Sequence, residues 1–157
     1  MSEPIRSLLD RLRPAVLPFE RYNIKNPNNP KTVAIGEDIY FKNELILVDS
    51  SGLSEVNMAT LDDIGTEVAR YLWVIDTEGK LYIILESTPN SVAERKCVCH
   101  SNMTGGKAAL QGGELWFLNP NSIVMNFRSG RYGAETIEHE EAVIEYWESL
   151  GFTVKSE

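Results

Sequence analysis

CVCHSNMTGGKAALQGGELWFLNPNSIVMNFRSGRY, residues 97–132, holds one of the chain's two histidines, both of its cysteines, two Gly-Gly pairs and a closing Ser-Gly-Arg-Tyr turn. Two apolar runs, 115–118 and 123–127, have the length and flanking residues of strands, with Asn119-Pro120-Asn121-Ser122 as the turn between them. A hairpin there folds the stretch back on itself. His100 and Ser101 are then expected to face Ser129, Arg131 and Tyr132 across one pocket. The residues mark a site without specifying a reaction.

Upstream of this stretch, residues 71–75 and 81–85 are strand-like and flank the turn Asp76-Thr77-Glu78-Gly79-Lys80, which predicts a second hairpin. Earlier strands are expected at 32–35, 38–41 and 44–48, with tight turns at Gly36-Glu37 and Lys42-Asn43. Leu45-Ile46-Leu47-Val48 is continuous rather than alternating, the pattern of a strand buried on both faces. Thr60, with Asp63 three residues on, caps a short predicted helix whose inward face is Leu61, Ile64 and Val68, although Gly65 weakens it. Residues 86–96 are polar and read as a loop.

Both ends of the chain predict helices. Ser2 and Pro4 suit a first turn, and Ile5, Leu8, Leu9 and Leu12 form one apolar stripe before Pro14 stops it. Four prolines, 14, 18, 27 and 30, keep the following segment irregular, with Phe19 and Tyr22 as its anchors. After Tyr132, Thr136 is the candidate cap of a helix carrying Val143, Tyr146, Trp147 and Leu150, and Gly151 ends it before a short strand at 152–154. The fold expected is α+β: a mainly antiparallel β-sheet or partial barrel with N-terminal and C-terminal helices. It is read as one domain over 1–157 with 73–132 at its centre.

Composition narrows the partners. A chain of 157 residues with 43% hydrophobic residues can bury a core without disulfides or metal. Fifteen Lys+Arg against 23 Asp+Glu leave a net charge of -8, which disfavours nucleic acid and anionic membranes. The N-terminal residues lack the apolar core of a signal peptide and no stretch reaches membrane-spanning length, so a cytoplasmic location is expected. Cys97 and Cys99 then read as reduced, packed thiols, with the strand turning His100 to the opposite side. No second Cys pair completes a zinc set, and no metal site is expected. His139 lies among Glu138, Glu140 and Glu141, where acids favour a helix N-terminus through its dipole. A Gly-x-Ser-x-Gly elbow is absent, which argues against a Ser-His-Asp hydrolase.

Several pieces between Trp73 and Tyr132 fall in a shared order: Trp73-Val74, Leu81-Tyr82, His100-Ser101, Gly105-Gly106, Gly113 and Ser129-Gly130-Arg131-Tyr132. This order resembles a domain of plant IQ-motif calmodulin-binding proteins and of some bacterial effector or toxin-like proteins. That domain reads as a Trp strand, a Leu-Tyr strand, His-Ser-Ser, a Gly turn, Ala-Gly and Ser-Gly-His-Tyr. Under half of the chain is covered. Asn102 stands in place of the second serine, Arg131 in place of the histidine, and no proline follows Tyr132. The IQ motif itself is missing, so calmodulin binding does not carry over. The resemblance implies a fold and a shared site more than an activity.

Read for chemistry, His100 is a candidate base, Ser101 a hydroxyl partner and Glu114 a candidate acid, although Glu135, Glu138, Glu140 and Glu141 qualify as well. Arg131 offers planar donors to a phosphate or carboxylate, and Gly105, Gly106, Gly113, Ser129, Gly130 and Tyr132 complete the ligand-binding candidates. A histidine, a hydroxyl residue, a tyrosine and an acid in this order are also reminiscent of ADP-ribosyltransferases, which would make NAD the cofactor. Against this stands the structural alternative: a satisfied histidine, glycines serving turns or bulges, and a buried tyrosine. Two function classes follow. One is a small-molecule pocket around His100 and Ser129–Tyr132. The other is a non-catalytic protein-interaction or immunity-like module, for which an exposed Trp116 or Phe117 would speak.

Overall fold

The two predicted hairpins lie side by side in one sheet. In a computed structural model, the residues described are 3–12, 44–48, 70–86, 98, 100–105, 107–129, 132–134 and 136–156. In chain order they form α1 (Glu3–Arg11), β1 (Ile46–Val48), β2 (Tyr71–Asp76), β3 (Leu81–Leu85), α2 (His100–Thr104), β4 (Ala109–Asn119), β5 (Ser122–Met125), α3 (Ile137–Ser149) and β6 (Thr153–Ser156). The six strands are ordered β1-β3-β2-β4-β5-β6. Every pairing is antiparallel except β5 with β6, which α3 connects in parallel. The sheet is open rather than a barrel, and the expected α+β class holds. Among the described residues no helix is long and apolar enough to cross a membrane. The expected strands at 32–35 and 38–41, the helix at 60–68 and the loop at 87–96 lie outside the described residues.

β2 is central, flanked by β3 and β4, and its run of five buried residues answers to apolar cover on both faces. Alternation along the strand sends Tyr71, Trp73 and Ile75 to a main core and Leu72 and Val74 to a second, smaller one. The main core lies under α1 and α3, which contribute Leu8, Leu12, Val143, Tyr146 and Trp147. Trp73 and Trp147 are both fully buried and meet edge to face at 6.5 Å. Arg11 of α1 pairs with Glu145 of α3 at the outer margin. The second core, with Val98, Met103 and Tyr132, covers the opposite face.

Helix α3 matches its sequence signals closely. The Thr136 hydroxyl accepts the His139 amide at 3.1 Å, and Gly151 takes up φ +99° just past the helix end. The Tyr146 hydroxyl donates to the Gly79 carbonyl at 2.7 Å, fastening the helix to the β2–β3 turn.

Three expectations change. The 44–48 run forms only a short strand at the margin of the described sheet, and Leu47 is 42% exposed rather than buried on both faces. A four-residue apolar run cannot separate a central strand from an edge. β4 begins well before 115, so Gly112-Gly113 lies within the strand instead of ahead of it. The reason is steric. A Cβ on Gly113 would stand 2.1 Å from the Asn126 carbonyl and 2.8 Å from the Trp73 ring, and one on Gly112 would stand 3.1 Å from His100 and Tyr132. The space left by the missing side chains is filled from both sides. Finally, His100 opens the short helix α2 rather than ending a strand.

Gly113→Ala is therefore expected to destabilise the protein by about 3 kcal/mol, as overpacking against backbone does. Gly151→Ala, which meets open space and suffers only from its positive φ, should cost about 1 kcal/mol in the same urea titration. Equal costs would contradict the steric account. Burial, then the charge of Asp76, raises the Tyr146 pKa above its usual value. Above about pH 10 the unfolded chain loses this proton while the folded protein keeps it, so stability falls as pH rises. Tyr146→Phe should flatten that alkaline decline in pH-dependent unfolding curves.

Candidate functional site

The motif residues meet inside the protein, behind β4. His100 is only 8% exposed, and its Nε2 lies 2.8 Å from the Gly113 carbonyl. A carbonyl can only accept, so Nε2 carries the proton and the ring is fixed in one orientation. Tyr132 is fully buried, its ring 6.4 Å from that of His100. Its hydroxyl donates to the Lys107 carbonyl at 2.7 Å and lies 2.8 Å from Thr104 Oγ1. Having given its one hydrogen to Lys107, it accepts that of Thr104. The Tyr132 backbone completes the attachment. Its carbonyl accepts the Gly112 amide at 2.8 Å, and its amide donates to Ser129 Oγ at 3.2 Å.

His100, Gly113, Ser129 and Tyr132 are thus brought together in a framework in which His100 and Tyr132 are buried and Ser129 is half-buried. Gly105 ends α2 with φ +69°. Ser101 lies in α2, while Gly106, Gly130 and Arg131 fall outside the described residues. Glu114 is held by a different set of partners. Its carboxylate accepts from Asn126 Nδ2 at 3.1 Å and lies 3.4 Å from the Arg70 guanidinium, which stacks 5.6 Å above the Trp116 ring. Phe117 is buried in the main core and Trp116 lies half-buried under Arg70, so neither projects as a bare aromatic.

Asn126 is the structural residue the sequence reading passed over. It sat inside an apolar run counted as strand, and a polar residue there is itself a signal. Its Oδ1 accepts the amides of Glu114 and Arg128 at 3.1 and 3.0 Å, and its carbonyl accepts the Trp73 indole at 3.2 Å. It continues the β4 pairing past Met125, where β5 ends.

In front of this framework is an opening of about 430 Å³, within the range of small-molecule sites. Val74, Tyr82 and Leu47, opposite one another on β2, β3 and β1, form a floor row. Met103 and Thr104 of α2 stand beside it, and Asp76, Glu78 and Lys107 line it as well. The Thr104 hydroxyl ties this wall to Tyr132. None of the protein-family models, curated proteins or solved structures compared with the chain matches it.

A framework role makes His100 and Tyr132 costly to change. His100→Ala should lower stability by about 3 kcal/mol, because it leaves a buried carbonyl without its donor, and Tyr132→Phe by about 2 kcal/mol, because it removes the hydroxyl that joins the part-buried Lys107 carbonyl and Thr104. Urea unfolding monitored by tryptophan fluorescence reads both. Full stability in both variants would mean that these groups are held for a ligand instead of for the fold.

Proposed function

We propose that this protein is a small-molecule-binding domain whose pocket lies on the α2 face of the sheet, with the His100–Tyr132 framework supporting its wall. The observation that carries the reading is the 430 Å³ opening, walled by Thr104 of α2, which is hydrogen-bonded to Tyr132. The fixed orientation and burial of His100 favour binding over acid–base catalysis at that ring. The same fact weighs against an ADP-ribosyltransferase-like use of it to hold NAD.

The family resemblance supports this reading in a limited way. Trp73, His100, Gly113 and Tyr132, four of its matched positions, contact one another through Gly112-Gly113. Membership in that family would then mean a shared framework, with chemistry differing from member to member. An immunity-like module has less support, since the large exposed apolar residues among those described, Leu47, Leu118 and Ile137, fall in three separate elements.

The test is a thermal-shift screen of the wild type and Ala108→Trp, which fills the pocket from its half-buried wall. The panel spans NAD, ADP-ribose, nucleotides, sugars and amino acids. A ligand at a hundred times its dissociation constant stabilises the folded state by about 2.7 kcal/mol. The expected result is a shift in the wild type that Ala108→Trp abolishes without lowering its own melting temperature. No shift with any compound, or one retained in Ala108→Trp, would overturn the proposal.

A further inference from the structure

The pocket is polar at one end and apolar at the other, and this division bears on its ligand. The floor row of Leu47, Tyr82 and Val74 is apolar apart from one hydroxyl, and Leu45 and Met103 extend it. Asp76 follows Val74 on the same face of β2, about 7 Å further along the strand. It opposes Ala109, so Lys107 and Ala108, which precede Ala109, enter beside the β2–β3 turn. Asp76, Glu78 and Lys107 therefore line the same end of the pocket, and Thr104 lines it from α2.

That end is rigid. Asp76 Oδ1 accepts the amides of Glu78 and Lys80, both at 2.9 Å, and the turn is held from behind by the Tyr146 hydroxyl on Gly79. The Lys80 ammonium, 3.3 Å from Glu78, has its pKa raised by the hydrogen bond and charge of Glu78 first, with Tyr82 and Asp76 adding to it.

Resting on the binding function proposed above, we propose that the pocket takes a small amphipathic zwitterion of the apolar amino-acid class. Its ammonium meets Asp76 and Glu78, its carboxylate meets Lys107, and its side chain lies on the Leu47–Tyr82–Val74 row. A purely anionic ligand would face two carboxylates, and a purely cationic one would face Lys107. A zwitterion satisfies both signs, each through charge-assisted hydrogen bonds.

The experiment is calorimetric titration of the folded wild type with three matched probes: phenylalanine, phenethylamine and 3-phenylpropionate. Phenylalanine is expected to bind at least tenfold more tightly than either single-charge analogue. Lys107→Ala should weaken phenylalanine about tenfold while sparing phenethylamine, and Glu78→Gln should do the reverse for the two analogues. Binding of phenethylamine or 3-phenylpropionate as tight as that of phenylalanine would overturn the zwitterion assignment. So would failure of all three probes alongside a nucleotide or sugar that shifts the wild type and not Ala108→Trp, an outcome that leaves the pocket itself standing. Failure of the three probes together with the whole screen would overturn both.

Discussion

The structure depends on the close approach of side chains to both faces of β4 at Gly112 and Gly113. On one face the Trp73 ring occupies the space a Cβ at 113 would need, and on the other His100 and Tyr132 occupy that of 112. A strand without side chains at these two points lets the main core and the second core come within a backbone's thickness of each other. Glycine costs entropy in a strand. Here that cost is offset by the full burial of two aromatic rings and by the hydrogen bond from His100 to the Gly113 carbonyl. Removing the glycines would separate the elements that define the fold.

How much of this was legible in the sequence follows from the kind of signal each element carries. The β2–β3 hairpin and α3 were readable because local rules suffice: apolar runs around a polar turn, a Thr cap, a glycine at the helix end. Leu47 was misread because the same four-residue apolar run suits a central strand and an edge. The start of β4 was misplaced because the reason for its glycine pair lies far away in sequence, in Trp73 and Tyr132. Asn126 escaped notice because its partners, Glu114 and Trp73, become neighbours only in the sheet.

The site shows the same division. That His100, Gly113, Ser129 and Tyr132 belong together was visible from their grouping in one stretch. That His100 and Tyr132 are buried was not, since burial depends on what covers the α2 face. Polar residues clustered in sequence are read as chemistry by habit. Here the His100 ring and the Tyr132 hydroxyl donate to backbone carbonyls, which is how a polar group is kept in a core. The residues lining the opening, Val74, Asp76, Tyr82 and Lys107, come from several elements. No local pattern joins them.

The hydrogen bond from Tyr146 to Gly79 joins residues 67 positions apart, linking the C-terminal helix to the turn at the polar end of the pocket. A turn attached only through its own two strands keeps residual motion that a ligand must quench on binding. Tethered from behind by a helix that is itself anchored in the core, this turn has already lost that freedom during folding. Its entropy is spent before any ligand arrives, so encounter with a guest requires less ordering of the protein. On the proposed reading, recognition at this rim is thereby coupled to the docking of α3, an element on the opposite side of the sheet.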